Sequence, residues 1–379
     1  MHLDANGTTF LLPEVRRRLQ ALLGADIGNP QSISAEGRAA RDLVETARDD
    51  LASLLGCSPA ELIFTSSGAE ANLTAIRAAL RTSGRRRLLL SRVEHSSLTA
   101  LAELLEQEGY RISWVDVDAA GMVPLPALEQ ALTADTAVVS LQMVNNETGV
   151  IQPYAQAAAI AHAAGALLHT DAAQAVGKLR FQAAETGADY LTLTGHKFHA
   201  PQGVGALWAA DGFDGFVPLI PGGTQEHGVR GGTHNVVGIV GMGDAARLRA
   251  ASLEQHIAQM RDLRDRFEND ILTALPQVRV NGSRDARVCN TTNLRFDGID
   301  GKALYLRLLG AGIACAQSSA CTAQNPEPSR VLRAMGLSYD EAFASIRFSF
   351  SVLNTHAEVS QAVETILHHY AEIRRVVGL

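Results

Sequence analysis

The stretch Leu191-Thr-Leu-Thr-Gly-His-Lys-Phe-His-Ala-Pro-Gln-Gly-Val-Gly-Ala-Leu-Trp208 belongs to a pair of apolar segments with a lysine between them. The first segment covers residues 190–194 and ends at Thr194, and the second covers residues 204–209. The turn between them carries Lys197 beside His196. Apolar strands on both sides draw this lysine inward, and a desolvated lysine loses its proton readily, as an amine must before it forms a Schiff base with an aldehyde. The turn therefore predicts a reactive lysine rather than a solvated surface charge.

A second stretch, His169-Thr-Asp-Ala-Ala-Gln-Ala-Val-Gly177, supports this prediction. Residues 166–170 indicate a buried strand with Asp171 at its carboxyl end, where open α/β sheets bind their ligands. An aspartate at that place can pair with a pyridinium nitrogen, which makes the ring of pyridoxal phosphate an electron sink. The ordinary alternative is that Asp171 only caps a turn and that Lys197 lies on the surface. We favour the cofactor, because both parts of a pyridoxal phosphate site occur together.

The composition is that of an ordinary globular protein of 379 residues, with 46% hydrophobic and 19% charged residues. Its net charge of −7 argues against direct binding of nucleic acid, which needs a basic face. The sequence contains no apolar run of membrane-spanning length and no signal-peptide pattern at its N-terminus. We therefore expect a cytoplasmic protein that makes no contact with a membrane.

Strands alternate with helices from about residue 62 to residue 209, which predicts an α/β fold with a mainly parallel sheet covered on both faces. One long, bent helix is predicted from about residue 236 to residue 275, and we place the domain boundary along it. Residues 12–250 are then a large cofactor-binding domain. Residues 1–11 together with 251–379 form a smaller α+β domain, in which we expect strand, strand, helix, strand, loop, helices, strand and helix.

Several residues of the large domain follow strands and are candidates for binding. In the turn Ser66-Ser-Gly-Ala-Glu70, the free amides of Gly68 and Ala69 at a helix start form an anion site, although such turns are also common as plain caps. His95 and Asn146 each follow a strand end, where single polar residues are often only structural. Because both converge on the sheet edge that carries Asp171, we interpret them as site residues.

The four cysteines are unevenly spaced and form no Cys-x-x-Cys motif, so neither a disulfide framework nor a zinc site is expected. Cys57 and Cys289 look like packing residues, and Cys315 ends an apolar run and should be buried. The segment Gln317-Ser-Ser-Ala-Cys-Thr-Ala-Gln-Asn-Pro326 is small, polar and aperiodic, which predicts an exposed, mobile loop. Cys321 is therefore the cysteine whose surroundings suit a nucleophile.

These motifs together resemble those of the cysteine desulfurases, which are pyridoxal phosphate enzymes of the class V aminotransferase group. The resemblance is closest to the branch with a long cysteine-bearing loop that supplies sulfur for iron–sulfur cluster assembly. It implies a fold of type I, like that of aspartate aminotransferase, with a mainly parallel seven-stranded sheet in the large domain. Its most specific parts are the Asp171-to-Gln174 run, the Gly195-His-Lys197 turn, Ser319-Ala-Cys-Thr322 with Glu327-Pro-Ser329, and Arg347.

The resemblance also implies a role for each matching residue. Lys197 would bind pyridoxal phosphate covalently, Asp171 would pair with its ring nitrogen, and His95 would stack on the ring and assist proton transfer. Arg347 would bind the substrate carboxylate and Cys321 would accept the sulfur. The remaining implied contacts are Asn146 and Gln174 at the substrate and the phenolic oxygen, Gly68, Ala69, Thr194 and His196 at the phosphate, and Thr233 at the phosphate of the other subunit of a homodimer.

Some positions depart from the family pattern. Ala69 stands where a threonine usually supplies a hydroxyl to the phosphate, and Ser318 replaces a glycine in the cysteine loop. None of the departures removes a catalytic group. They are expected to bear on cofactor affinity and on the stiffness of the loop.

The leading hypothesis is a desulfurase that converts L-cysteine to L-alanine. The Cys321 thiolate would take the substrate sulfur as a persulfide and deliver it to an acceptor protein, either a scaffold or a thiolation enzyme. The enzymatic alternatives are other class V enzymes: an aminotransferase, a selenocysteine lyase or a cysteine-sulfinate lyase. An aminotransferase has no use for a thiol on a loop, so Cys321 argues against it. A lyase can work without this thiol, so a fully active Cys321→Ser variant would favour a lyase. A scaffold that only docks sulfur acceptors is the non-enzymatic alternative, against which Lys197, Asp171 and Arg347 count.

Overall fold

The computed structural model describes residues 1–317 and 327–376. Within those residues the strands form a sheet of seven strands and a sheet of three. The large sheet has the order β1-β7-β6-β5-β4-β2-β3 and the small sheet the order β10-β9-β8. The strands are β1 (Leu62–Thr65), β2 (Arg87–Ser91), β3 (Arg111–Val115), β4 (Thr136–Ser140), β5 (Leu167–Asp171), β6 (Tyr190–Thr194), β7 (Gly205–Ala209), β8 (Val278–Val280), β9 (Thr291–Phe296) and β10 (Ser345–Ser349).

Strands β3, β2, β4, β5 and β6 are parallel to one another. Strand β7 is antiparallel to both of its neighbours, β6 and β1. All five residues of β4, β6 and β7 are buried, as expected for a sheet covered on both faces. The predicted α/β fold with a mainly parallel seven-stranded sheet is confirmed. Because the carboxyl ends of parallel strands meet at one edge, Asp171 at the end of β5 lies beside the residues that follow β6 and β4.

Helices cover both faces of the large sheet. Helix α3 packs against β6 and β7, and α6 packs against β5. No helix in the described ranges has the length and apolar character needed to cross a membrane. The helices are α1 (Pro13–Leu23), α2 (Ala35–Leu55), α3 (Gly68–Ser83), α4 (Ser96–Gln107), α5 (Leu125–Ala131), α6 (Tyr154–Ala163), α7 (Val236–Ala251), α8 (Leu253–Ala274), α9 (Gly301–Gly310), α10 (Arg330–Ala334), α11 (Tyr339–Phe343) and α12 (His356–Val376).

The prediction of one long, bent helix is wrong, because α7 and α8 are separate helices that meet at Ser252. That residue has φ −137° and ψ 26°, outside the helical range, and interrupts the backbone between them. Helix α7 packs along α1 and α2 on the core of the large sheet. Leu263, Phe267 and Ile271 of α8 instead enter the core of the small sheet. The chain thus changes direction where it passes from one core to the other, and the proposed division after residue 250 stays a prediction.

The small sheet packs against α8 and α9, and α12 packs on these two helices. The strand that we expected between α9 and the cysteine loop is wrong, because this part of the chain forms only isolated bridges. Ala314 pairs with His2, and Ala316 pairs with Arg347. The N-terminal arm is held by the same region, since Leu3 is fully buried in the small core and Asp4 bridges to Ser349. The arm therefore lies between the small sheet and the edge of the large one.

Candidate active site

Asp171 ends strand β5 with its carboxylate held in place. It is 8% exposed. Its Oδ2 accepts a hydrogen bond from Asn72 Nδ2 at 3.1 Å, and its Oδ1 accepts one from the Ala173 amide at 2.9 Å. His169, two residues earlier on the same strand, is fully buried, and burial lowers its pKa to about 4. Asp171 is therefore a fixed carboxylate with a neutral neighbour, as a partner for a pyridinium nitrogen requires.

Lys197 lies in the turn after β6 and is half-buried. Its Nζ donates hydrogen bonds to the carbonyl oxygens of Asn6 and Gly7, both at 2.6 Å. The N-terminal arm also holds the turn itself, because the amide and the hydroxyl of Thr9 both donate to the His196 carbonyl. The expected inward position of the lysine is thus produced by the arm as well as by the two apolar strands.

His95 follows β2 and caps helix α4. The amide of Ser97 donates to His95 Nδ1 at 3.2 Å, so this nitrogen is an acceptor and a neutral ring carries its proton on Nε2. The side chain is exposed to solvent, yet protein surrounds most of it. Desolvation is the main cause that lowers the pKa of His95, the charges of Lys197 and Arg330 lower it further, and Asp171 opposes them. The imidazole is therefore neutral at pH 7 and can accept a proton.

Asn6 of the N-terminal arm joins the parts of the site, although sequence analysis did not select it. It is 2% exposed. Its carbonyl oxygen accepts from Lys197 Nζ at 2.6 Å and from Gln174 Nε2 at 3.0 Å. Its Nδ2 donates to the Asn146 carbonyl at 3.1 Å and to Thr291 Oγ1 at 2.8 Å. The structure thereby brings Lys197, Gln174 and the Asn146 loop together around one backbone position.

Lys178 is a second lysine at this junction, and sequence analysis missed it. It is 4% exposed, and its Nζ donates to Gln174 Oε1 at 2.6 Å and to Asn6 Oδ1 at 3.3 Å. Burial lowers the pKa of Lys178 to about 7, and the positive charge of Lys197 adds to that effect. The small number of lysines could have drawn attention to it, because the chain has three and this one lies seven residues after Asp171.

Arg347 lies on β10, is 5% exposed and faces the same junction. Its Nη1 donates to the Asn146 carbonyl at 2.9 Å, and its Nη2 donates to the carboxylate of Asp4 at 2.5 Å. Its Nε is buried without a hydrogen-bond partner among the described residues. Arg347 therefore retains unused N–H donors, and Asp4 supplies the carboxylate that balances its charge within the protein.

The predicted phosphate-binding residues meet at the start of α3. Gly68 and Ala69 are the first two residues of that helix, where amides have no intrahelical acceptor. A Cβ built on Gly68 would lie 3.5 Å from the Cβ of Thr194, so the end of β6 is adjacent. His196 Nδ1 lies 3.1 Å from Thr8 Oγ1, and burial, helped by Lys197, lowers the pKa of His196 to about 4. This region offers neutral donors to an anion.

Thr233 is exposed on the glycine-rich loop of residues 221–233. With Ser66 and Arg230 it lines a cavity of about 100 Å³ near the start of α3. The loop is anchored by Glu226, which is 5% exposed and accepts hydrogen bonds from Arg48 at 2.8 and 2.9 Å. The role of Thr233 at a neighbouring subunit stays a prediction.

The ends of the cysteine loop contact residues next to His95 and Asn146. Ala316 exchanges two backbone hydrogen bonds with Arg347 at its one end. At the other end the Ser329 hydroxyl donates to the Glu147 carboxylate, and Arg330 Nη2 donates to the Glu94 carbonyl at 3.3 Å. Burial raises the pKa values of both carboxyls, that of Glu94 to about 8. Cys321 and Ser318 lie outside the described residues.

The three described cysteines are poor nucleophiles at neutral pH. Cys315 is 5% exposed, as expected, and burial raises the pKa of its thiol. Burial raises the pKa of Cys57 to about 12 and that of Cys289 to about 11. Each of these groups is therefore a protonated thiol, which neither attacks sulfur nor carries it.

The residues of this edge fit pyridoxal phosphate. The structure supplies a fixed carboxylate at Asp171, an amine at Lys197 and a planar ring at His95. Amides at a helix start suit the phosphate, and the guanidinium of Arg347, which already binds the carboxylate of Asp4, suits the carboxylate of an amino acid. The donor set thus matches both the cofactor and an α-amino acid substrate.

Comparison with known proteins gives the same result. The model of the aminotransferase class-V family matches residues 1–362. The chain is 43% identical to cysteine desulfurase 2 of Trichormus variabilis over 365 residues. This alignment covers 96% of the chain and 91% of that protein. A solved NifS-like protein superposes with a TM-score of 0.91 at 30% identity, over 98% of this chain and 99% of the other. The structure of SspA in complex with cysteine superposes with a TM-score of 0.82 at 29% identity, and the match covers 93% of this chain and 99% of the other. This chain therefore belongs to the aminotransferase class-V family and, within it, to the cysteine desulfurases.

Proposed function

We propose that this protein is an L-cysteine desulfurase that uses pyridoxal phosphate. The reaction is L-cysteine plus the Cys321 thiol giving L-alanine plus the Cys321 persulfide, so the sulfur atom moves and no outside oxidant is needed. The observation that carries the proposal is the junction at Asn6. Its carbonyl accepts from Lys197, and its side chain donates to the same Asn146 carbonyl that accepts from Arg347. An amine and a carboxylate-binding guanidinium are thus held close together by the contacts of Asn6, an arrangement that suits an α-amino acid.

Arg347 orients the substrate through its carboxylate. Its strand β10 is buried and its Nη1 is already fixed by the Asn146 carbonyl. A carboxylate that meets the guanidinium makes charge-assisted hydrogen bonds of defined direction. Asp4, which pairs with Nη2, keeps the guanidinium from turning away from this position. The substrate carboxylate therefore binds at the wall formed by β10.

Pyridoxal phosphate, when bound, supplies an electron sink that weakens the bonds at the substrate α-carbon. The protein supplies the groups that hold and move protons beside it. Asp171, fixed by Asn72 and Ala173, holds a proton on the ring nitrogen. Lys197 Nζ and the neutral imidazole of His95 can accept and return protons on the substrate side. Gln174 donates from Nε2 at the same junction and suits the phenolic oxygen.

Cys321 is within reach of this space. It comes five positions after Ala316, which is paired with Arg347, and a fully extended chain of that length spans at most about 17 Å. The described ends of the loop are anchored on both sides of the site, at Arg347 and at Glu147. We propose that the Cys321 thiolate takes the substrate sulfur here and then passes it to an acceptor protein, which is a scaffold for iron–sulfur cluster assembly or a thiolation enzyme.

We further propose that the protein acts as a cytoplasmic homodimer in which Thr233 completes the phosphate site of the neighbouring subunit. The support is the exposure of Thr233 and the position of its loop beside Ser66, just before the anion-binding start of α3. Purified Thr233→Ala should stay dimeric and lose affinity for pyridoxal phosphate. A monomeric wild-type protein with full cofactor affinity would contradict this assignment.

The test of the proposed function is to add L-cysteine to the holoenzyme and to measure alanine and sulfide together in the presence of a reductant. We expect equal amounts of both from the wild type. Cys321→Ser should keep bound cofactor and still bind cysteine but release no sulfide, and mass spectrometry without reductant should find one added sulfur on the wild-type Cys321 peptide.

The matched control is Cys315→Ser, which replaces a buried thiol only six residues away and should leave turnover largely intact. A fully active Cys321→Ser variant would assign the protein to the lyases, and 3-mercaptopyruvate formed in place of alanine would assign it to the aminotransferases. A protein that binds no pyridoxal phosphate would support the scaffold alternative.

A further inference from the structure

Arg249 of helix α7 is a buried cation with little compensation. It is 1% exposed. Its Nη2 donates to the Gly177 carbonyl, but its Nε and Nη1 have no hydrogen-bond partner in residues 1–317 and 327–376. Within the same residues no carboxylate forms an ion pair with it. A buried charge is costly unless it is paired, so this guanidinium calls for a partner that the protein chain does not supply.

The groups around Arg249 are basic or neutral. Lys178 lies close enough that the positive charges of Arg249 and Lys178 interact, and burial lowers the pKa of Arg249 to about 10. His199 and His256 both feel the Arg249 charge, and burial lowers their pKa values to about 3 and about 4. The one nearby group that can turn negative is Cys289, and burial raises its pKa to about 11. At neutral pH none of these side chains provides a counter-charge.

A small cavity of about 10 Å³ lies between Arg249, Lys178 and His199, next to the lysine turn. That volume is enough for one water-sized species. Lys178, Lys197, Arg249 and the hydroxyl-bearing residues Thr9 and Ser351 contribute to its walls. The aromatic rings of Phe198 and Phe350 belong to the same lining, so the space joins cationic donors to an apolar wall.

A water molecule fits this space as it stands, and a halide ion, which is somewhat larger, fits when the surrounding side chains move outward slightly. A water molecule would accept hydrogen bonds from the guanidinium but would leave the positive charges of Arg249 and Lys178 uncompensated. A monovalent ion of halide size would accept the same hydrogen bonds and supply the missing charge. Oxyanions such as phosphate are too large for the cavity. We propose that a single chloride-like anion binds between Arg249 and Lys178.

The site would be separate from the substrate and phosphate sites but would act on the same region. Lys178 holds Gln174 by a 2.6 Å hydrogen bond, and its charge interacts with that of Lys197. An anion beside Lys178 would stabilise its protonated form and thereby fix the orientation of the Gln174 amide. The site would therefore support the geometry around the lysine turn, to whose Lys197 it is adjacent.

The direct test is to crystallise the holoenzyme in bromide and to record anomalous scattering at the bromine edge. We expect one buried bromide within hydrogen-bond distance of Arg249 and of Lys178 Nζ. An ordered water in the cavity with no anomalous signal would overturn the proposal. This measurement uses the wild-type protein and does not depend on the folding of a variant.

The solution test is thermal unfolding of the holoenzyme at constant ionic strength, with chloride replaced stepwise by bulky gluconate. The wild-type Tm should rise with chloride by a few degrees, because a ligand that binds only the folded state stabilises it. Arg249→Met should lose this dependence. Arg264→Met is the matched control, because Arg264 is also buried but already pairs with Asp265, and it should keep the dependence.

Arg347 is a second possible origin of a chloride effect, since its free donor also suits an anion. A chloride dependence that persists in Arg249→Met and vanishes in Arg347→Met would place the effect at the substrate site and overturn the proposal. Equal Tm values of the wild type in chloride, bromide and gluconate would overturn it as well.

Discussion

Lys197 and Lys178 lie on two sides of Asn6, and their surroundings differ in three respects. Lys197 is half-buried and donates to two backbone carbonyls, those of Asn6 and Gly7. Lys178 is 4% exposed and donates to side-chain amides, those of Gln174 and Asn6. Lys197 also lies at the carboxyl edge of the sheet near Asp171, which we call the open side, whereas Lys178 lies deeper, on the side of Arg249, which we call the closed side. Both lysines contribute to the wall of the small cavity beside Arg249.

The difference shows that a lowered pKa alone does not make a lysine a cofactor-binding residue. The Lys178 pKa of about 7 gives it the chemistry of a reactive amine, but no ligand of the size of pyridoxal phosphate can reach it. Lys197 is only half-buried, and both it and Asp171 lie close enough to His95 for their charges to interact with it. Access and the fixed partners of the ligand therefore decide between two amines that share one neighbour.

The largest expected effect separates the two lysines by activity. Lys197→Ala should lower the rate of alanine formation by at least about a hundredfold, because it removes both the covalent link and a proton-transfer group. Lys178→Met should cost less than about tenfold, since it mainly loses a hydrogen bond to Gln174 worth about 1 kcal/mol. Steady-state assays with saturating pyridoxal phosphate measure both. Equal losses in the two variants would remove the distinction between an open and a closed side.

The next effect tests whether substrate binds on the open side, at Arg347. Arg347→Lys should raise KM for cysteine about ten- to a hundredfold, because a hydrogen bond to a charged group is worth about 1.5–3 kcal/mol. Arg295→Lys on the neighbouring strand β9 is the control, since Arg295 is already paired with Asp297 and Glu341. An unchanged KM in Arg347→Lys would exclude Arg347 from carboxylate binding.

A smaller effect concerns the closed side and its dependence on pH. The Lys178 pKa falls from 10.5 to about 7 on folding, so between these values the unfolded chain binds a proton that the folded protein lacks. The free energy of unfolding should therefore rise with pH in this window, by up to about 1.4 kcal/mol per pH unit. Below pH 7 the destabilisation of the folded protein by Lys178 should have reached its full size. Lys178→Met should lose this contribution.

The measurement is denaturant unfolding of the wild type and of Lys178→Met from pH 7 to pH 9. It requires halide-free buffer, because a bound anion would keep Lys178 protonated. Lys302→Met, at the start of α9, should follow the wild type. A difference between the wild type and Lys178→Met that stays constant across the window would contradict the assigned Lys178 pKa.

The open side was predictable from the sequence and the closed side was not, for a physical reason. Strands β5 and β6 are buried runs, and the residues at their ends, Asp171 and Lys197, are placed by the general rule for parallel sheets. The closed side depends on contacts between distant segments. Lys178 meets Asn6, which lies 172 residues away along the chain, and Arg249 meets Gly177 across 72 residues. No local pattern encodes such pairs.

The same limit applies to the elements that sequence analysis misjudged. The apolar spacing across residues 236–275 continues through the break at Ser252, because each half of the segment has its own buried face. Periodicity records that a face is buried but not which core covers it. Arg347 shows the converse case: the resemblance implied that it binds a carboxylate, but its partner within the protein, Asp4, is set by the tertiary position of the arm.

The most direct test of the difference between the two lysines is borohydride reduction of the holoenzyme followed by peptide mapping. Reduction fixes pyridoxal phosphate on the amine that carries it, and the chain offers three lysines, Lys178, Lys197 and Lys302. We expect the pyridoxyl adduct on the Lys197 peptide and unmodified Lys178. An adduct on Lys178 would contradict the assignment of the site to the open edge of the sheet.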